Sequence, residues 1–241
     1  MAMLTRHERR LLARQAVKGN IAAANTLIDC EPDLNWKVEL VLGLCRSKAP
    51  RLVVQDVLLH SIVDHPRCIH PEAPGSRELL RELFDYAEYP KPRRMSAALY
   101  RGAVGIEAND IGLGYYWANN RQGAVIYALS RAWKLGLFNP TVVEAQVADS
   151  DVVVATESNG EFPIRDATDD RRHLELIVLI PQEIVSVEAI SYDEAAINAP
   201  FGKKSIKADF EARGLGEGQY VHLLDNIDEW LAQYKVACSI R

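Results

Sequence analysis

Glu175 stands alone among apolar neighbours, with Leu174 before it and Leu176, Ile177, Val178 and Leu179 after it. A carboxylate in such a setting accepts hydrogen bonds from hydroxyl groups and sets negative charge beside a cation that develops during a reaction. Charge stabilisation of this kind is typically worth about 10²–10³ in rate. On a strand edge facing water the same residue would be inert. Arg101 follows Leu99-Tyr100 and precedes Gly102. Its planar guanidinium can fork onto phosphate or sugar oxygens, and the adjoining glycine lets backbone approach a ligand closely. An ordinary surface arginine is the alternative. Tyr115-Tyr116-Trp117 supplies aromatic faces. In a strand, alternation puts Tyr115 and Trp117 on one side and Tyr116 on the other. One side packs the core, and Tyr116 is left to stack on a flat ring, with Tyr127 completing an aromatic slot.

Other residues carry weaker signals. Gly112 and Gly114 form a G-x-G, which alone says little about phosphate binding and fits a tight turn into the Tyr115 strand. Asn119 and Asn120 suit capping of the helix that follows, with contact to ligand oxygens as the alternative. His173 stands two residues before Glu175, either at the strand start or as a group that meets an acceptor. Glu157, Glu161, Asp166, Asp169 and Asp170 make the preceding loop acidic, as a solvated loop or as a docking surface for a basic target. His60, His65, Cys68 and His70 match no standard zinc spacing. Gly202-Lys203-Lys204-Ser205 lacks the upstream glycine and correctly placed serine of a phosphate loop. Arg6, Arg9, Arg10 and Arg14 read as a charged helix face. No metal is expected.

These residues sit in a chain of 241 residues that is 48% hydrophobic and 25% charged, ordinary values for a globular protein, with room for one large domain or two small ones. The net charge of -5 provides no overall basic footprint for nucleic acid. No apolar run reaches the roughly 18–20 residues of a membrane span. The N-terminus MAMLTRHERR lacks a signal-peptide core. The expected location is therefore cytoplasmic, or a host cytoplasm reached without a cleaved signal. Cys30, Cys45, Cys68 and Cys238 have no paired spacing and read as free thiols.

The elements that must position the candidates fall into two regions. Residues 1–90 read as helical. Thr5 and Glu8 suggest a capping box before Arg9–Val17. Helical spacing recurs over Asn20–Ile28, Trp36–Leu44 and Leu52–Val63, and Ser76 suits the cap of Arg77–Tyr86. Tyr89-Pro90-Lys91-Pro92-Arg93-Arg94 breaks the pattern. Residues 91–241 mix strands and helices. Ala98–Gly102, Tyr115–Ala118, Val142–Val147, Val152–Ala155, Leu174–Ile180 and Val185–Ile190 read as strands. Gln122–Trp133 reads as a helix with Val125, Leu129 and Trp133 inward, and Val221–Val236 as an amphipathic helix. The fold class is α+β.

Three fragments in order carry a family resemblance: Leu99-Tyr100-Arg101-Gly102; Gly112-Leu113-Gly114-Tyr115-Tyr116-Trp117-Ala118-Asn119 with the helix through Ala124-Val125-Ile126-Tyr127; and Leu174-Glu175-Leu176-Ile177-Val178-Leu179. From about Ala97 to Tyr192 the chain resembles the ADP-ribosyltransferase superfamily. The second and third fragments look like the "GxGxYFA" and "E-x-I-V" strands of its diphtheria-toxin and poly(ADP-ribose)-polymerase branch. The first looks like the bacterial and phage branch, which has Arg where the other has His. The pattern Arg101, Tyr116, Glu175 thus mixes the two, and no Ser-Thr-Ser occupies the second strand.

The resemblance implies a split β-sandwich with flanking helices. It implies a toxin-like effector that uses NAD⁺ as substrate without metal and transfers ADP-ribose to a macromolecule. A protein is the expected target and a nucleic acid the alternative, with no membrane involved. Glu175 would be catalytic, and Tyr100, Arg101, Gly102, Tyr116 and Tyr127 would hold NAD⁺. His173 would meet the target. It occupies the position where arginine-modifying members hold Glu or Gln, which points to a different acceptor. An NAD⁺ glycohydrolase of the same fold and a degenerate binding module are the alternatives.

Overall fold

A computed structural model of the chain describes residues 4–30, 34–63, 76–157, 164, 166–169, 171–212 and 214–240. The chain forms two compact units, Met1–Pro90 and Lys91–Arg241. His65, Cys68, His70, Glu161 and Asp170 lie outside the described residues, as does the side chain of His60.

The first unit consists of α1 (Arg6–Val17), α2 (Ile21–Asp29), α3 (Leu34–Arg46), α4 (Arg51–Val63) and α5 (Ser76–Ala87). Local chemistry starts the first two. The Thr5 backbone N–H donates to the Glu8 carboxylate at 2.8 Å, and Glu8 N–H donates to the Thr5 hydroxyl at 3.3 Å. This is the reciprocal capping box. Asn20 accepts from Ala23 N–H at 3.0 Å to cap α2. Ala24, Ile28, Val54, Val57, Leu58, Leu80 and Leu83 are buried as the core. Polar ties link elements distant in sequence: Tyr86 donates to Ala49 O at 2.8 Å and Gln55 Nε2 to Ala87 O at 2.6 Å. Cys30, Cys45 and Cys238 are free thiols. Burial pushes the Cys45 thiol up to about 11, so it is protonated and poorly nucleophilic at neutral pH.

The second unit is built on a six-stranded sheet in the order β5-β7-β3-β2-β4-β8. Its strands are β2 (Ala98–Val104), β3 (Tyr116–Ala118), β4 (Pro140–Gln146), β5 (Val152–Glu157), β7 (Leu174–Val178) and β8 (Ile184–Ala189). Every neighbouring pair is antiparallel. A short parallel pair joins β1 (Arg94–Met95) to β6 (Asp166–Ala167). The helices are α6 (Ala108–Ile111), α7 (Arg121–Leu135), α8 (Tyr192–Ala212) and α9 (Glu217–Ser239). Val104, Val142 and Ile190 pack with Val125, Leu129 and Trp133 of α7 and with α8 and α9. On the other face Leu99, Ala103, Trp117, Val143, Leu174, Leu176 and Val178 form a second apolar cluster.

The α+β class and the strand segments agree with the sequence reading, but α8 does not follow from it. Pro200 lies inside this helix, and proline removes a backbone donor and crowds the preceding turn. Packing overrides that cost: Ala195, Ala199, Ile206 and Phe210 are buried against the sheet and its neighbours. Gly202-Lys203-Lys204-Ser205 is therefore helix interior, not a loop. Among the described residues no helix is long and apolar enough to cross a membrane.

The feature that shapes the site is the seam between β2 and β3. β2 pairs with β4 along its whole length, but β2 and β3 share one register pair, Tyr100 with Ala118. Beyond it the two strands part.

Candidate functional site

A cleft of about 240 Å³ is lined by residues of β2, β3, α7, β7 and α8. Tyr100, Arg101, Gly102, Tyr116, Tyr127, His173 and Glu175 all line it. Ala118, Gly123, Ile126 and Ser205 also line it and were not read as site residues from the sequence. Ser205 carried no usable signal, because its helix was not legible there.

Glu175 takes its place from the register. Thr156, Glu175, Ala118 and Tyr100 stand opposite one another on successive strands β5, β7, β3 and β2. Residues directly opposite in antiparallel strands share a face, so this row faces the side of α7. Leu174, Leu176 and Val178 turn the other way into the second apolar cluster. The alternation explains how one acidic residue fits an otherwise apolar strand. The Glu175 side chain is exposed at the cleft, and the protein atoms around it push its carboxyl above the usual glutamate range. Desolvation is the sole cause of that shift.

Arg101 stands in a different relation to the sheet. Its register partner on β4 is Val143, a member of the second apolar cluster. By alternation Arg101 belongs to the face opposite Glu175, and a continuous sheet would have kept the two apart. The seam changes this. A ladder continued beyond Tyr100 and Ala118 would set Gly102 opposite Tyr116. Instead the Arg101 guanidinium occupies the gap, and Nη1 donates to Tyr116 O at 2.6 Å. Its Nε is buried without a partner. Burial pulls the Arg101 pKa down, with the Tyr127 and Tyr116 hydroxyls acting in the opposite direction. Arginine stays charged despite such shifts.

Gly114 makes room for this side chain. A Cβ on Gly114 would fall 2.0 Å from Arg101 Cζ. Its neighbour Gly112 is pressed by Gln182 O, 2.4 Å from where its Cβ would be. Both glycines therefore serve close packing rather than a phosphate cradle. Because the flexible end of Arg101 can swing away, Gly114→Ala is expected to leave thermal stability within about 1 kcal/mol of the parent. It should nevertheless displace the guanidinium and weaken ligand binding at least about tenfold, the loss expected when a charge-assisted bond is broken. A melt paired with a binding isotherm separates the two effects.

Tyr116 is half-buried and turned to the cleft, while Tyr115 and Trp117 are buried on the opposite side. Trp117 Nε1 donates to Gly114 O at 3.0 Å and holds the turn that precedes β3. Tyr127 is 44% exposed at the cleft on α7.

Of Asn119 and Asn120, only Asn120 caps the helix, and both do other work. Asn120 Oδ1 accepts from Gly123 N–H at 2.7 Å, which starts α7. Its Nδ2 donates to Arg172 O at 2.8 Å. Asn119 Oδ1 accepts from Leu174 N–H at 2.9 Å, and its Nδ2 donates to Asp169 O at 2.8 Å. The two buried amides thus fasten the β3–α7 junction to the start of β7, one residue before Glu175. Arg172 adds an ion pair to Glu157 at 2.6 Å. His173 is exposed, with Nδ1 3.3 Å from Asn120 Oδ1.

Chemically, the cleft combines a fixed guanidinium, aromatic faces from two elements, and a solvent-accessible carboxylate. Tyr100 and Glu175 are two strand spacings apart, about 10 Å. The arrangement suits an elongated polar ligand that carries an anionic part, a flat ring and a sugar. Among the described residues no group of three or more His, Cys, Asp or Glu is placed to hold a metal ion. No protein-family model, curated protein or solved structure matches this chain.

Proposed function

We propose that the chain is an NAD⁺-dependent mono-ADP-ribosyltransferase acting on a macromolecular target. The observation that carries this reading is the convergence of Arg101, Tyr116, Tyr127 and Glu175, from four separate elements, on one cleft. The seam between β2 and β3 supports reading the sheet as the split β-sandwich of that superfamily, with β5-β7-β3 and β2-β4-β8 as its halves.

In this reading NAD⁺ lies along the cleft with its nicotinamide between Tyr116 and Tyr127. Arg101 grips the nucleotide, and Tyr100 and Gly102 flank it. Glu175 accepts a hydrogen bond from the ribose 2′-hydroxyl. The bond from ribose C1′ to the pyridine nitrogen breaks, and its electrons leave with neutral nicotinamide. The positive charge left on the ribose is stabilised by the Glu175 carboxylate. A nucleophile on the target then bonds to C1′ and loses its proton. His173 stands at the rim beside Glu175, where that nucleophile enters. An imidazole there, instead of a carboxylate, favours an acceptor other than arginine.

Incubation with NAD⁺ labelled in its adenylate part, together with cell lysate, tests the proposal. Label on a macromolecule is the expected result. Free ADP-ribose as the sole product would replace the reading with NAD⁺ hydrolysis. No cleavage and no NAD⁺ binding would leave a binding module of this fold.

A further inference from the structure

We infer that the exposed face of α1 is a docking surface for the phosphate backbone of duplex DNA, through a row formed by Arg6, Arg10, Arg14 and Lys18. The inference stands apart from the NAD⁺ reading and uses none of the cleft residues.

The four residues recur at every fourth position, and all are exposed. Positions four apart on a helix are neighbours, and at about 1.5 Å of rise per residue the row is about 18 Å long. Arg6 opens α1 and Lys18 is its C-cap. The opposite side of the helix holds the row in place: Ala16 is fully buried, and Leu12 and Ala13 are half-buried. Glu8 is the only acidic residue before Asp29, and the capping box holds its carboxylate against Thr5. Arg9 is half-buried and stands off the row.

The helix itself gains nothing from this arrangement. Like charges four residues apart repel and weaken a helix, and Arg6–Arg10, Arg10–Arg14 and Arg14–Lys18 are three such pairs in succession. A cation in the first turn, as at Arg6, also opposes the positive end of the helix dipole. A charged face that serves only to keep a helix solvated alternates in sign. Counter-charge from a polyanion removes both penalties.

The chemistry of the row selects the occupant. One strand of duplex DNA carries a phosphate about every 3.4 Å of its axis, so the row spans about five and each cation has one within reach. Three of the four cations are arginine, whose planar fork matches phosphate oxygens. Single strands are held by stacking their bases on aromatic rings, and α1 contains no Phe, Tyr or Trp. Double-stranded RNA is gripped across two minor grooves over about 16 base pairs, farther than this row extends. A helix lying on a membrane buries an apolar face in the lipid. Apart from Leu11, the apolar residues of α1 are turned into its own unit.

Fluorescence anisotropy of a labelled mixed-sequence DNA duplex tests the surface. The full chain, R10A/R14A and R10K/R14K are titrated across a series of salt concentrations. For the parent, log affinity is expected to fall with log salt at a slope of about −3.6, from about −0.9 for each of four phosphates. R10A/R14A should halve that slope and bind at least about tenfold more weakly at low salt. R10K/R14K, which keeps the charge, should retain most of the slope. R10A/R14A should melt no lower than the parent, because the substitutions are exposed and relieve repulsion, so its weaker binding is not a folding defect. No binding by the parent at low salt overturns the inference, as does an unchanged slope in R10A/R14A. Equal or tighter binding of single-stranded RNA, of poly-glutamate or of vesicles containing phosphatidylserine at the same salt overturns it too.

Discussion

Replacing Glu175 with Gln is expected to reduce NAD⁺ turnover about 10²–10³-fold, the usual loss when a charge-stabilising group is removed. Affinity for NAD⁺ should change little, because Gln keeps the shape and still accepts a hydrogen bond from the 2′-hydroxyl. What it lacks is the negative charge that, in the proposed reaction, stands opposite the ribosyl cation and matters most in the transition state. The measurement is steady-state turnover beside direct NAD⁺ binding. Retention of full turnover in E175Q would remove Glu175 from the mechanism. The pH dependence follows from the same residue. Desolvation raises the Glu175 pKa, and in the proposed reaction the ionised form is the active one. The rate should therefore fall with acidification at a pH above the ordinary glutamate range.

Stability should respond in the opposite sense. A carboxyl whose folded pKa is raised costs the fold nothing while protonated in both states, below its unfolded pKa. The cost appears as pH rises through the folded value. At neutral pH E175Q should then be at least as stable as the parent, despite its reduced turnover. Thermal melts of both proteins across the acid-to-neutral range check the sign. A variant less stable than the parent at neutral pH would contradict the desolvation argument.

Gly102→Ala is expected to have a large effect on folding. A Cβ at this position would fall 2.0 Å from Ala124 O and 2.9 Å from Ala128 N, both backbone atoms of α7. No rotamer change relieves that overlap, so β2 and α7 must move apart. Overpacking typically costs about 1–3 kcal/mol and occasionally more, and the upper end applies where rigid backbone is struck. For a unit of this size about 3 kcal/mol corresponds to a fall in melting temperature of roughly 6–12 °C. The contrast with Gly114→Ala, where the obstacle is the mobile end of Arg101, separates the two roles of these glycines. A Gly102→Ala protein that melts with the parent would show that α7 can shift freely on the sheet.

Much of the local structure was legible because it depends on neighbours in the chain. The Thr5–Glu8 capping box, the Asn120 cap, and the inward stripe of Val125, Leu129 and Trp133 follow from spacings of three or four residues. The β-branched runs at Val142, Val152 and Val185 marked strands for the same reason. Helix α8 was missed because Pro200 and Gly202 argue against a helix locally. The burial of Ala195, Ala199, Ile206 and Phe210 that outweighs them depends on partners remote in sequence.

For the site, the sequence by itself determined the cast: a single carboxylate in an apolar strand, an arginine before a glycine, and a tyrosine whose alternation sets it apart from Tyr115 and Trp117. Side-chain chemistry and period-two alternation suffice for that. Tertiary structure decided whether these residues meet. Alternation alone puts Arg101 on the far face from Glu175, and only the parting of β2 from β3 after one register pair brings its guanidinium into the cleft. Likewise, the hold of Asn119 on Leu174 joins segments that are distant along the chain. Strand register and helix docking are settled by the packing of two apolar clusters against opposite faces of one sheet, and no local spacing encodes that.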